Sequence, residues 1–90
     1  MITLVLPSIL SPLAADAREV RARGGTVREA LADVAGRYPR LAPRLLGPRG
    51  DAYPFVVFYL NDRDVREIAG LDSRVEDGDV LTVLSAMAGG

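Results

Sequence analysis

The sequence lacks cysteine and histidine altogether. Without cysteine the chain can form no disulfide and offers no thiolate nucleophile, and without histidine it lacks the usual general base at neutral pH. The usual zinc ligands are missing for the same reason. We therefore predict neither catalytic residues nor a metal site, and we interpret the chain as a protein that does not catalyse a reaction itself.

Lysine is also absent, since all eleven basic residues are arginine. Eight arginines lie at or before Arg49, and eight of the twelve acidic residues lie from Asp51 onward. The net charge of −1 gives no reason to expect a nucleic-acid partner. The acidic second half could face a basic partner, although a solvated surface is the simpler interpretation.

The sequence contains no apolar run long enough to span a bilayer. Its start, Met1-Ile2-Thr3-Leu4, lacks the basic region of a secretion signal. We therefore expect a soluble cytoplasmic protein without membrane contact. With 90 residues, 49% of them apolar and 26% charged, the composition is that of one small folded domain. We place that domain at residues 1–84 and a flexible tail at residues 85–90.

The first half of the chain predicts strands and one main helix. Ile2, Leu4 and Leu6 alternate as in a strand, and residues 18–22 form either a second strand or a helical turn. Thr26 to Glu29 has the form of a capping box, in which the threonine hydroxyl accepts from the Glu29 amide and the glutamate reaches back to the threonine amide. The helix that follows ends before Pro39, and its apolar stripe comprises Val27, Ala30, Leu31, Val34, Ala35 and Tyr38.

The second half predicts two more strands joined by turns. Residues 55–60 are apolar, mostly β-branched or aromatic, which predicts a strand in the centre of the sheet. Residues 61–64 have turn chemistry, and Val65 and Ile68 are expected to return to the core.

The last predicted strand, residues 80–84, follows a turn in which Gly78 takes a positive φ. Its alternation predicts that Leu81 and Val83 point inward and Thr82 outward.

One helix covers only one face of a sheet, so we predict a two-layer α+β fold with a mixed sheet of four to five strands. If Val56, Phe58 and Leu60 face the helix, the other face carries Phe55, Val57 and Tyr59 beside Val5. An exposed apolar face in a small domain is typical of a partner-binding site, and we predict docking there with Arg63 or Arg66 at its rim. Alternatively, other side chains or a dimer cover this face.

The last six residues, 85–90, carry no charged side chain and end on two glycines. Glycine has no Cβ, so Gly89 and Gly90 can enter a slot too narrow for other residues. We expect Met87, Ala88 and Gly89 to thread into a partner, and we identify the carboxylate of Gly90 as the group on which the function depends.

Several of these features together resemble the ThiS/MoaD family of ubiquitin-like sulfur-carrier proteins. The resemblance covers nearly the whole chain and rests on the helix, Asn61-Asp62, Gly70-Leu71-Asp72, Asp77-Gly78-Asp79, the final strand and Ala88-Gly89-Gly90. Within the family, residues 38–50 and the ending are most similar to the CysO type.

The resemblance implies a β-grasp fold and a function as a protein co-substrate. A ubiquitin-activating-like adenylyltransferase would use ATP to adenylate Gly90, and the carboxylate would then become a thiocarboxylate that donates sulfur in biosynthesis. The chain itself would bind no cofactor. Its second partner would be a sulfur-accepting synthase, either a cysteine synthase or the large subunit of molybdopterin synthase.

These expectations leave four interpretations of the function. We favour a sulfur carrier on the cysteine route, with the small subunit of molybdopterin synthase as the close alternative. A function of another class is a ubiquitin-like interaction module that binds through its sheet face and whose terminus is never activated. An enzyme in its own right is the weakest interpretation, because carboxylates such as Asp62 and Asp64 lie in turns that need no catalytic explanation.

Overall fold

The computed structural model describes residues 1–47, 51–52 and 54–85. Within these residues, one mixed sheet has the strand order β2-β1-β5-β3-β4. Its strands are β1 (Ile2–Val5), β2 (Glu19–Ala22), β3 (Val56–Leu60), β4 (Arg63–Asp64) and β5 (Val80–Ser85). The main helix is α1 (Val27–Arg37), and a single turn, α2 (Ala42–Leu45), follows it.

Strands β1 and β5 pair in parallel, and the other neighbouring strands pair antiparallel. Helix α1 packs on one face of the sheet, which confirms the two-layer α+β prediction with one main helix. This arrangement is the ubiquitin-like β-grasp fold. No helix in the described part of the chain is long and apolar enough to cross a membrane.

Within the predicted segment 18–22, Glu19–Ala22 form a strand and not a helical turn, which decides between the two predicted alternatives. Strand β2 pairs with β1, and Val20 lies opposite Leu4. Val20 and Ala22 are buried, whereas Glu19 and Arg21 are exposed. The alternation of apolar and charged residues thus buries one face of β2 and solvates the other.

Thr26 caps the N-terminus of helix α1, as predicted. The Thr26 hydroxyl accepts a hydrogen bond from the Glu29 amide at 3.2 Å. The prediction that the Glu29 side chain accepts from the Thr26 amide is wrong. It accepts from the Gly25 amide instead, at 2.7 Å. The extended backbone of Thr26 (φ −137°, ψ 166°) presents the preceding amide to the glutamate, so the cap spans one residue more than a capping box does.

The core lies between α1 and the sheet. Four residues of the predicted stripe, Val27, Ala30, Leu31 and Val34, are buried, while Ala35 and Tyr38 are half-buried. The four buried residues form one cluster with the inward-facing residues of the strands, which include Ile2, Leu4, Phe58, Leu81 and Val83. The inward direction of Leu81 and Val83 confirms the predicted alternation of β5.

The position of β3 corrects the prediction that it is the central strand. Strand β5 lies in the middle of the sheet, with β1 on one side and β3 on the other. Apolar content did not reveal this order, because β3 is apolar on both faces and β5 carries Thr82 on one of them.

Ile68 is a second correction, since it is 43% exposed although Val65 is buried as predicted. The chain forms separate 3-10 turns at Val65–Glu67 and Gly70–Asp72. Between them the backbone of Ile68 (φ −113°, ψ −104°) breaks the helical path, so Val65 and Leu71 point inward and Ile68 points outward.

Candidate functional site

The face of the sheet opposite α1 carries the candidate site. The register places Val5, Thr82 and Tyr59 in one row across β1, β5 and β3. Val57 and Leu84 form the next row, toward the C-terminal end of β5. We call these five residues the outer patch. Because strand partners in register share a face, the five side chains are neighbours.

The outer patch is apolar and only partly covered. Leu84 is 44% exposed, and Val5, Val57, Tyr59 and Thr82 are half-buried. Phe55 lies directly before β3 and is also exposed. The structure therefore brings together three predicted contact residues, Val5, Val57 and Tyr59, with Phe55 just outside the strand.

Leu84 is a surface residue that the sequence prediction missed. It lies two positions after Thr82, which was predicted to face outward. The alternation of a strand puts residues i and i+2 on the same face, so the same signal was sufficient to assign Leu84 to this patch.

Arg63 does not lie on the outer patch. Its register partner is Leu60, whose side chain is buried on the face that meets α1. Asp64, the next residue, pairs with Tyr59 and therefore lies on the outer side of the sheet. Of the two arginines predicted at the rim, Arg66 is the one that Asp64 holds near Tyr59.

Asp64 and Arg66 form the most completely bonded ion pair near the outer patch. The guanidinium donates from Nε to Oδ1 and Oδ2, each at 3.1 Å, and from Nη2 to Oδ2 at 2.6 Å. Asp64 Oδ1 also accepts from the Arg66 amide at 2.9 Å. The side chain of Asp64 is 10% exposed and that of Arg66 is 73% exposed. The side-chain hydrogen bond from Arg66 is the largest cause that lowers the pKa of Asp64.

The start of β5 is anchored by polar contacts at the neighbouring turns. The Val80 amide donates to Asn61 Oδ1 at 3.0 Å, and the Asn61 amide donates to the Val80 carbonyl at 2.7 Å. Asn61 Nδ2 donates to Asp79 Oδ1 at 3.2 Å. Gly78 has φ +90°, as predicted for its turn. These contacts hold the central strand in its place between β1 and β3.

Strand β5 continues through Ser85, one residue beyond its predicted end. Met87, Ala88, Gly89 and Gly90 lie outside the described residues, so the interpretation of the tail stays a prediction. In the part of the chain that is described, no cluster of three or more acidic, histidine or cysteine side chains could hold a metal ion.

A shallow depression of about 260 Å³ adjoins the outer patch at the side of β3 that faces away from β5. Its wall includes Val57 from the patch and Arg66 from the ion pair. Phe58, Val65 and Leu71 contribute apolar surface to it. The patch and the depression together offer apolar area with charged groups at the margin, because Arg28 and Asp51 line the depression as well as Arg66.

Comparison with known proteins gives matches over the whole chain. The chain is 37% identical to the sulfur carrier protein CysO of Mycobacterium tuberculosis over 91 residues, which cover 99% of this chain and 98% of that protein. The crystal structure of M. tuberculosis CysO matches with a TM-score of 0.89 at 35% identity, covering 97% of this chain and 100% of that one.

A chain in the crystal structure of the Amycolatopsis orientalis BexX/CysO complex matches with a TM-score of 0.91 at 39% identity, and the match covers 100% of both chains. The ThiS family profile matches residues 5–90. By sequence and by structure, the chain belongs to the ThiS family.

Proposed function

We propose that this protein is a sulfur carrier whose C-terminal glycine carboxylate is activated and converted to a thiocarboxylate. The observation that carries the proposal is the full-length similarity to the sulfur carrier protein CysO, at 37% identity over 99% of this chain. Cysteine biosynthesis is the favoured destination of the sulfur, because the relatives of this length and similarity are CysO proteins.

The proposed activation takes place in a ubiquitin-activating-like adenylyltransferase. A carboxylate oxygen of Gly90 attacks the α-phosphorus of ATP, the bond to the β-phosphate breaks, and pyrophosphate leaves. The product is an acyl adenylate. The chain has no cysteine or histidine with which to catalyse this step, so it acts as the protein substrate.

The sulfur is then introduced at the same carbon. Sulfide attacks the acyl adenylate, a C–S bond forms, the C–O bond to AMP breaks, and a thiocarboxylate remains. If a persulfide attacks instead, the product is an acyl disulfide, and a thiol must then reduce its S–S bond to release the thiocarboxylate. In a sulfur-accepting synthase the thiocarboxylate sulfur bonds to an electrophilic carbon of the acceptor, which either loses a leaving group or, if it belongs to a double bond, has a proton added at the neighbouring carbon. Hydrolysis of the acyl C–S bond returns the carboxylate of Gly90.

The outer patch has the composition and position expected of the docking surface for these partners. It includes Thr82 and Leu84 of the central strand, which precedes residues 86–90 in the chain, and it exposes Leu84 beside Val57. Burying aliphatic side chains at a contact is favourable by about 25 cal/mol per Å² of apolar surface. A partner that docks here would bind the body of the protein while Met87, Ala88, Gly89 and Gly90 enter its active site.

A C-terminal extension tests this proposal. The protein is incubated with the adenylyltransferase, ATP and a sulfide source, and its intact mass is measured. We expect a species heavier by the exchange of one oxygen for sulfur. A variant with one alanine added after Gly90 is expected to keep the wild-type melting temperature and to gain no mass.

Two outcomes contradict the proposal. Equal modification of the extended variant would exclude Gly90 as the site of activation. Binding of the wild-type protein to the adenylyltransferase without any change in mass would favour the alternative, a ubiquitin-like interaction module. The acceptor distinguishes the two carrier routes, because the thiocarboxylate would be consumed by a cysteine synthase in one route and by the large subunit of molybdopterin synthase in the other.

A further inference from the structure

We infer that Arg66, held in place by Asp64, is the residue with which the outer patch recognises a carboxylate of the activating enzyme. The inference rests on the proposed function and adds a specificity-determining contact to it. Asp64 is a positioning residue that acts through Arg66.

The first observation is the way in which the arginine is held. Arg66 is 73% exposed, yet its Nε and Nη2 donate to a carboxylate that is only 10% exposed. A free arginine side chain loses rotamer entropy when it is fixed in one conformation. Here the carboxylate has already fixed the guanidinium, so less entropy remains to be lost when a partner binds.

The second observation concerns the N–H donors of Arg66 that Asp64 does not engage. A guanidinium has five N–H donors, of which Asp64 engages one on Nε and one on Nη2. Among the described residues, the other three N–H groups have no second acceptor and can donate to a partner. The buried carboxylate lies behind the guanidinium, so the side of the ion pair that faces solvent is its positive side.

The third observation is the position of the arginine. Asp64 pairs with Tyr59 of the outer patch, and Arg66 shares the wall of the adjoining depression with Val57. Tyr59 also contributes to the raised pKa of Arg66, after the larger effect of Asp64. The partner that fits is therefore a protein segment with an acidic side chain next to an apolar one, the acid on Arg66 and the apolar group on Val57.

A purely structural role explains only part of this geometry. Asp64 accepts from the Arg66 amide at 2.9 Å and so caps the 3-10 turn at Val65–Glu67. That cap needs the backbone of residue 66 and not its side chain. The substitution Arg66→Ala therefore leaves the cap in place and removes the guanidinium alone.

Arg63 offers a matched control on the same hairpin. It carries the same charge and is exposed, but its register partner is Leu60 on the opposite face. The experiment measures KM and kcat for the carrier in ATP–pyrophosphate exchange catalysed by the ubiquitin-activating-like adenylyltransferase of the source organism. We expect Arg66→Ala to raise KM about tenfold with kcat unchanged, as for an interface hot spot, and Arg63→Ala to leave both unchanged.

Two further variants separate charge from geometry. Arg66→Lys retains the charge but loses the planar fork, so we expect it to restore less than half of the lost affinity. Asp64→Asn keeps an oxygen for the Arg66 amide and keeps the arginine charge, but it releases the guanidinium. We expect a KM raised about threefold, with a salt dependence as steep as that of the wild type, whereas Arg66→Ala flattens that dependence.

The outcomes distinguish this inference from the function on which it rests. Absence of exchange with the wild-type protein would overturn both. Exchange with the wild type and equal KM values for Arg66→Ala and Arg63→Ala would overturn the inference alone. Full recovery of KM in Arg66→Lys would show that only net charge matters and would contradict the role of Asp64.

Discussion

Leu84 is at once on the central strand and exposed to solvent. An apolar side chain in this position adds nothing to the core, which its neighbour Val83 fills from the same strand. Its exposure beside Val57 is what an apolar contact surface requires. A substitution at Leu84 should therefore affect binding to a partner and leave the stability of the fold nearly unchanged.

Leu84→Ser tests that separation. We expect the melting temperature to change little, because Leu84 is 44% exposed, and KM in the adenylation assay to rise about tenfold, since burying a leucine at a contact contributes about 1.5–3 kcal/mol. Ile68→Ser is the matched control, because Ile68 is 43% exposed and lies between two 3-10 turns outside the sheet. Equal KM values for the two variants would contradict a docking role of the outer patch.

Gly78 is a position at which the backbone conformation, and not the space for a side chain, favours glycine. Its φ of +90° is a backbone conformation that residues with a Cβ rarely adopt, although open space surrounds the place of a Cβ. We expect Gly78→Ala to lower the free energy of unfolding by about 1–2 kcal/mol, measured by urea denaturation.

Gly36 provides the opposite case for the same substitution. It lies in α1, and a Cβ there would also meet open space. We therefore expect Gly36→Ala to raise the free energy of unfolding by about 0.5–1 kcal/mol, because alanine loses less backbone entropy in a helix. If Gly36→Ala lowered the free energy of unfolding as much as Gly78→Ala does, the positive φ of Gly78 would not be the cause of the loss.

At the scale of elements, α1 both covers the core and protects an edge of the sheet. Strand β2 is an edge strand, and its backbone groups could pair with another chain. Arg37 of the helix donates to the Arg21 carbonyl, and Asp33 accepts from the Arg23 amide at 3.0 Å. Arg37 Nη2 also lies 3.1 Å from Asp33 Oδ2, so the two side chains support each other along the strand.

The contacts of Asp33 predict a dependence of stability on pH. The hydrogen bond from the Arg23 amide is the largest cause that lowers the pKa of Asp33 in the folded protein. The unfolded chain then binds the proton more readily, so this contribution to stability is present above the unfolded pKa, about 3.9, and is lost as the pH falls through the folded value. We expect Asp33→Asn to be less stable than the wild type at pH 7 and to lose less stability below about pH 4.

Urea denaturation of both proteins between pH 7 and pH 2 measures this difference. The two curves of unfolding free energy against pH are expected to converge at the acid end, where the wild-type carboxyl is protonated. Parallel curves over the whole range would mean that the Asp33 carboxylate contributes nothing through its ionisation.

At the scale of the whole molecule, one core supports the fold and leaves the outer patch on the opposite side of the sheet. Leu31 is fully buried in that core, on the face of α1 that meets the strands. The substitution Leu31→Ala removes buried methyl groups and leaves a cavity, which costs about 2–5 kcal/mol. The free energy of unfolding of a small domain is only about 5–15 kcal/mol in total. We therefore expect the melting temperature of Leu31→Ala to fall markedly.

Binding and stability should respond differently to this change. Well below the melting temperature of the variant, we expect Leu31→Ala to retain the wild-type KM in adenylation, because the core and the outer patch lie on opposite faces of the sheet. Leu31→Met, which keeps the volume, should lose less than about 1.5 kcal/mol. A raised KM for Leu31→Ala at low temperature would show that the two faces are coupled.

Local patterns in the sequence determined much of this molecule. The alternation of β1 and β5, the apolar stripe of α1 and the Thr26 cap were predictable because each depends on residues a few positions apart. The same local rule would have assigned Leu84 to the outer face. The prediction that the function depends on Gly90 also came from the sequence, through the absence of cysteine and histidine and the two glycines, and it stays a prediction.

The tertiary structure alone decided which of these elements are neighbours. The central place of β5, the exposure of Ile68 and the bond from Gly25 to Glu29 were not predicted. The sequence did not distinguish Arg63 from Arg66 as a contact residue. In the structure, strand register places Arg63 on the face of the sheet that meets α1, and Asp64 holds Arg66 on the outer face. The reason is that sheet order and register follow from the free energy of packing the whole core, to which residues far apart in the chain contribute together.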